Sequence, residues 1–191
     1  EIPVTQTQSQ QQPTDTITAT TQEKQTFPEL YQIWAVGMIL FLLFHLVQYG
    51  RMQWYLHKGR QKITDAALLE SYQQLYRDMP ILVRKPRIYC HNGLPSSICV
   101  GLFRKTIYVD TQDRDLEEMK WVLRHELYHC DNGDMLGRWI FMVVQAMHWF
   151  NPLMYWLIDQ LEWVTELECD AKVVDGADLQ ERKAYSMAIL N

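Results

Sequence analysis

Hydrophobic positions are spread unevenly along the chain, and the unevenness divides it into segments. From Leu30 to Gly50 no residue carries a charged side chain, and Ile33 to Phe44 is almost wholly apolar. Twenty-one helical residues rise roughly 31 Å, enough for a hydrocarbon layer of ~30 Å. Tyr31, Trp34 and Tyr49 stand near its ends, where amphipathic rings favour the membrane interface. The pattern predicts a transmembrane helix over 29–50. It lacks the basic leader and small-residue cleavage site of a signal peptide. Residues 1–28 are different, with eight Thr, seven Gln and no apolar period. Such a segment buries too little to offset its ordering entropy and reads as a linker.

Beyond the span, Leu68, Tyr72, Leu75 and Met79 recur at helical spacing behind Thr64 or Asp65 as cap. This gives a helical juxtamembrane segment within 51–79, ending before Pro80. Three β-prone runs follow, Arg87–Cys90, Ser97–Val100 and Thr106–Val109, separated by Asn92-Gly93-Leu94-Pro95 and by Gly101-Leu102-Phe103-Arg104-Lys105. They predict a small antiparallel sheet. From Asp113 the chain reads as helical to its end, with breaks near 131–134 and at Asn151-Pro152. The expected fold is α+β and mostly helical, with one domain over 80–191 behind the membrane helix.

Charge orients the chain. Arg51, Lys58, Arg60 and Lys62 precede any acid after the span, whereas residues 1–28 hold three acids and one Lys. The basic side is expected in the cytoplasm, leaving 1–28 outside. The formal net charge of −5 and the lack of a Lys/Arg-dense run argue against direct nucleic-acid binding. Four scattered cysteines (Cys90, Cys99, Cys130, Cys169) fit reduced thiols better than a disulfide framework. The chain opens at Glu1 without a methionine and stops at Asn191 inside a helical pattern, as a piece of a longer protein would.

His125-Glu126-Leu127-Tyr128-His129 carries the chemistry. Imidazoles at i and i+4 share one helix face and can reach a single ion, with Glu126 beside them to take a proton from metal-bound water. An amphipathic helix can also carry histidines without a metal. Here Asp115 and Glu118 form a capping box, and Leu116, Met119, Leu123 and Leu127 form an apolar stripe. A third ligand is needed, with a fourth position open for water. Glu166 and Asp170, at i and i+4, offer a ligand and a carboxylate to receive the far N–H of a ligand His. Glu162, one turn earlier, is the rival ligand, and an acidic pair on a helix is often only a solvated face.

This assignment tests the topology. Trp139 to Ile158 is a second uncharged run of twenty residues. Were it to span, the two His and Glu166 would lie on opposite sides of the bilayer. Asn151-Pro152 breaks it instead, predicting a helical hairpin over 139–158 that dips into the membrane surface. His148, Gln145 and Asn151 then need polar partners at that depth.

Together, the His-Glu-Leu-Tyr-His run, Asp134, Trp149-Phe150-Asn151-Pro152-Leu153 and Glu166-x-x-Cys169-Asp170 resemble the bacterial beta-lactam-sensor and antirepressor membrane metallopeptidases of the BlaR/MecR type. Pro95-Ser96-Ser97, Gly101-Leu102-Phe103 with Ile107, and Arg182 to Tyr185 fit the same pattern, so the resemblance covers about 30–191. It implies a cytosolic gluzincin-type zinc endopeptidase domain between transmembrane helices of a multi-pass cell-membrane protein. His125, His129 and Glu166 would bind Zn2+, Glu126 would be the catalytic acid/base and Asp170 the orienter. The implied partner is a cytosolic protein substrate, a winged-helix transcriptional repressor, beside membrane lipid; a homodimer is left open. Cys130-Asp131-Asn132-Gly133 departs from the basic residues usual there.

The expected mechanism has Glu126 accept the water proton and pass it to the leaving amine. Substrate would pair with an edge strand, Ser97–Val100 or Thr106–Val109. Tyr128, Arg138, His148 and Tyr155 are candidate oxyanion donors. Cys130 and Cys169, beside motif residues, raise a thiol-containing zinc site as another reading. A prenyl-protein or quality-control membrane metallopeptidase is the alternative enzyme, and a non-catalytic zinc-binding transducer the alternative class.

Overall fold

Between Arg51 and Lys58 no Pro or Gly interrupts the helix begun in the apolar run, so it does not stop where the uncharged residues do. In the structure, a computed structural model describing residues 28–79, 84–111 and 114–190, α1 runs unbroken from Pro28 to Gly59. Among the described residues it is the one helix long and apolar enough to cross a membrane. Its last turns leave that role: Leu56 is buried with Val100 and Tyr108. The expected linker lies, but for Pro28, outside the described residues.

Asp65 caps α2 (Ala66–Asp78), its carboxylate accepting from the backbone N–H groups of Ala67 at 2.9 Å and Leu68 at 3.3 Å. Three strands follow, β1 (Arg87–Cys90), β2 (Ile98–Val100) and β3 (Thr106–Val109). The sheet is mixed rather than wholly antiparallel. Its order is β1-β3-β2, with β3 parallel to β1 and antiparallel to β2. After β1 the chain turns back at 91–97 but leaves one strand's width open. β3, the most deeply buried strand, fills that gap. This also corrects one expected substrate edge: Thr106–Val109 is central and paired on both sides, leaving β2 as the edge.

Asp115 caps α3 (Leu116–Asn132) by accepting from Glu118 N–H at 2.8 Å. Met119, Leu123 and Leu127 are buried against Leu68 and Tyr72 of α2 and Ile107 and Val109 of β3. Cys169, Val173 and Tyr185 pack against Trp121 and Tyr128 of the same helix, so α3 lies between two apolar layers. All four cysteines are free and buried.

Gly133, at φ 78°, ends α3 and starts α4 (Asp134–Met147). The uncharged run then reverses. The Asn151 side chain accepts from Leu153 N–H at 3.0 Å and Pro152 opens α5 (Pro152–Val173). Trp34 Nε1 donates to Met147 O at 2.8 Å, and Trp149 Nε1 donates to Trp34 O at 3.3 Å. The turn therefore lies beside Trp34, towards the N-terminal end of α1's apolar run. Gly37 permits this approach, because a Cβ there would overlap the Trp149 ring. Leu136, Ile140, Val143, Leu153 and Trp156 remain exposed on the hairpin. A break not read from the sequence separates α5 from α6 (Leu179–Leu190). Gly176 turns there at φ 72°, and Asp178 and Glu181 form a second capping box.

Candidate metal centre

Helical spacing puts His125 and His129 one above the other, and their Nε2 atoms lie 2.8 Å apart. Glu166, from the middle of α5, brings Oε2 to 3.2 Å from His129 Nε2 and 3.6 Å from His125 Nε2. Tetrahedral ligands ~2.0–2.1 Å from a zinc ion stand about 3.3 Å from one another. The three atoms are spaced for one cation.

The far ring nitrogens are also engaged. His129 Nδ1 lies 2.6 Å from Asp134 Oδ2. His125 Nδ1 lies 2.8 Å from the Tyr185 hydroxyl, which donates its own proton to Asp170 Oδ1, and 3.3 Å from Asp170 Oδ1 itself. With Nδ1 carrying the proton on both rings, both Nε2 lone pairs face Glu166, the tautomer a metal requires. Asp170 thus acts largely through Tyr185. Asp134 and Tyr185 are the two supporting residues that spacing alone did not identify. The Gly133 turn swings Asp134 back beneath His129, and α6 returns Tyr185 from 60 residues away.

The electrostatics point the same way. Burial works against charge on the imidazoles, but hydrogen bonds to Cys169 and Glu166 outweigh it and bring His125 up to about 9. For His129, bonds to Asp134, Cys169 and Glu166 overcome burial and raise it to about 12. The two histidines hold the Glu166 carboxyl far below its ordinary value. Without a metal ion, this pocket favours a proton between its donors.

Glu126 lies on the same cavity, of about 350 Å³, and only 7% of it is exposed. Burial pushes its carboxyl pKa up, against the lowering influence of the two histidines. Ser96 to Cys99, at the β2 edge, form another wall of the cavity.

The remaining candidates separate clearly. Glu162 lies on a neighbouring cavity with Gly137 and Thr165, and Glu168 pairs with Lys172 at 2.8 Å. Cys169 has its sulfur within 4.8 Å of donor atoms of both histidines. It approaches His125 from behind, however, at 3.7 Å from Nδ1 and 3.5 Å from the backbone carbonyl. Glu166 brings its carboxylate to the Nε2 pair, and Cys169 offers a further donor atom on the Nδ1 side of His125. Of the four candidate oxyanion donors, Arg138 alone lines the cavity, with Nη2 3.4 Å from Glu166 Oε1. Tyr128 packs between the apolar layers. His148 bonds Val144 O at 3.1 Å, and Tyr155 donates to Trp149 O at 2.7 Å, both in the hairpin.

The profile of a family described as "BlaR1 peptidase M56" matches residues 2–191. "Regulatory protein BlaR1" of Bacillus licheniformis is 29% identical over 170 residues, covering 84% of this chain and 27% of the relative. "Methicillin resistance mecR1 protein" of Staphylococcus aureus is 22% identical over 161 residues, 83% of this chain and 27% of the relative. The chain thus spans about a quarter of the length of these relatives.

Proposed function

Because this chain belongs to the BlaR1 peptidase M56 family, we propose that it is a membrane-anchored zinc endopeptidase unit that hydrolyses a peptide bond in a cytosolic protein, a transcriptional repressor, as the effector of a transmembrane signal. One observation carries the reading. His125 Nε2, His129 Nε2 and Glu166 Oε2 converge within 2.8–3.6 Å beside a buried carboxylic acid.

Bound zinc would supply Lewis-acid polarisation of a water and of the scissile carbonyl. Glu126 takes the proton from the attacking water and returns it to the leaving amine. Its raised pKa suits the second step, and the neighbouring imidazoles keep the first within reach. Asp134 and the Tyr185–Asp170 pair hold the two rings in the donor tautomer. The β2 edge offers backbone groups to an extended substrate along the cavity wall. Arg138, which lines the cavity with Arg114, is a cation positioned to donate to a developing oxyanion.

On this reading α1 crosses the cell membrane, with Arg51, Lys58, Arg60 and Lys62 on the cytoplasmic side. The α4–α5 hairpin packs on α1 within the bilayer. Arg138, Glu162 and Glu166 follow at the cytoplasmic edge, so hydrolysis takes place close to the membrane surface. The names of the relatives support a regulatory role in antibiotic resistance.

The test is incubation of the zinc-loaded chain with a candidate winged-helix repressor, followed by fragment mapping. Cleavage by the native chain and none by Glu126→Gln, which still binds one zinc, is the expected result. Undiminished cleavage by Glu126→Gln would overturn the assignment.

A further inference from the structure

Five cationic side chains from two stretches of sequence meet at one end of the sheet. The parallel register Arg87↔Thr106 sets Arg84, Lys85 and Arg87 beside Arg104 and Lys105. With Leu102 and Phe103 they line a surface cavity of about 440 Å³, and none of the described residues that line it is acidic. Lys105 turns inward to donate to the Cys130 carbonyl. Lys85 stands over the Tyr72 and Tyr76 rings at 4.9 and 5.6 Å. Arg84, Arg87 and Arg104 face solvent. In a chain of net charge −5, this patch is strongly positive.

At its tip stands Phe103, 93% exposed. Gly101, at φ 100°, makes the turn that lifts it, and a Cβ there would collide with the Arg104 carbonyl. A fully exposed ring among arginines has no folding role visible here. It suits the boundary between headgroups and acyl chains, where an apolar wedge and cations act together.

The packing of the sheet on α1 gives its height. The C-terminal end of β1 lies at the end of α1, with His91 packed on Gly59 and on the Tyr55 ring at 4.8 Å. One step back, Leu56 packs with Tyr108 and Val100. Further back, His45, Gln48, Tyr49 and Met52 share a cavity with Ile98–Val100. From Gly59 back to residues 45–52, α1 meets the sheet in the order β1, β3, β2, so the β2 edge lies nearest the uncharged run. The β2–β3 turn leaves that edge, and Lys105 within it bonds the Cys130 carbonyl, three residues before the Gly133 bend into the hairpin.

We propose that the β2–β3 turn is a membrane-docking element, with Phe103 entering the interface and Arg84, Arg87 and Arg104 binding the phosphates of anionic phospholipids. This rests on α1 crossing the bilayer. Docking holds the β2 edge, and with it the cavity mouth, in a fixed attitude to the membrane.

The test places an environment-sensitive fluorophore on Phe103→Cys in the full chain, the four native thiols being buried. A second preparation carries it at Leu40→Cys on α1. Both are reconstituted in nanodiscs of phosphatidylcholine, with or without phosphatidylglycerol, and with a doxyl-lipid quencher. In anionic discs the label at 103 should shift to the blue, lose iodide quenching and gain doxyl quenching. In neutral discs, or with Arg84→Glu, Arg87→Glu and Arg104→Glu combined, those changes should be lost. A label at 103 open to iodide in both discs, while that at 40 is doxyl-quenched, overturns docking and leaves the membrane helix standing. Absence of doxyl quenching at 40 as well overturns both. Protection at 103 only on adding polyglutamate would mark an acidic protein partner and also overturn the proposal.

Discussion

His129 Nδ1 and Asp134 Oδ2 lie 2.6 Å apart, although α3 has ended between them. The left-handed Gly133 lets the chain restart as α4 with Asp134 directed at the ring, leaving Nε2 free to face Glu166. Asp134→Asn should therefore lower zinc affinity by ~10–100-fold, the usual effect of losing a carboxylate behind a ligand histidine. Competition against a chromophoric chelator measures it. Affinity equal to the native chain's would show that the pair does not orient the ring.

Tyr185 and Asp170 act on His125 as a unit. Tyr185→Phe removes the relaying hydroxyl but leaves Asp170 Oδ1 3.3 Å from Nδ1. The single change should weaken zinc binding less than Asp170→Ala. The double variant should fall short of the summed losses, since the two residues share one hydrogen-bond chain. Simple additivity in that cycle would contradict the relay.

Stability of the metal-free chain should depend on pH in a definite direction. His125 and His129 are raised from 6.5 to about 9 and about 12 by partners including Glu166, so their contribution is complete below pH ~6.5. It declines as pH rises through about 9. Glu166 is lowered, so the same interaction is also lost as pH falls below its ordinary value near 4.5. Thermal melts of metal-free chain in detergent should therefore fall from pH 6.5 to 9. Zinc affinity should rise over the same interval, because the metal displaces those protons. A melting temperature that climbs with pH in the metal-free chain would contradict the assigned couplings.

Gly37 tests the helical hairpin. A leucine there would meet the Trp149 ring, whereas a Cβ added at Gly50 would have nothing within 4 Å. Gly37→Leu should cost about 1–3 kcal/mol by overpacking. Gly50→Ala should cost nothing measurable from contact. Thermal melts in one detergent compare the two, and equal melting temperatures would refute the α1–hairpin contact.

The sequence was most informative where chemistry demands fixed spacing along one helix. His125 and His129 meet because i and i+4 share a face, and Glu166 and Asp170 divide the roles of facing the Nε2 pair and reaching Nδ1 for the same reason. Asp65, Asp115 and Asn151 cap the helices they precede. What escaped is non-local. The turn residues at 91–97 look the same whether β2 lies beside β1 or one strand away, so the mixed sheet was not visible. Tyr185 lies 60 residues from the ring it serves. Arg84 and Arg104 join one patch only through the β1–β3 register. The Asp178–Glu181 capping box was legible in the sequence and would have located the α5–α6 break.

The ligand set itself is tested most directly by zinc K-edge X-ray absorption on the chain loaded with one equivalent of zinc. Two imidazoles, one carboxylate and a water should give a first shell of nitrogen and oxygen alone, at ~2.0–2.1 Å. Glu166→Ala should reduce that light-atom shell. A sulfur shell at ~2.3 Å in the native chain would place Cys169 on the metal and contradict the assignment of Glu166.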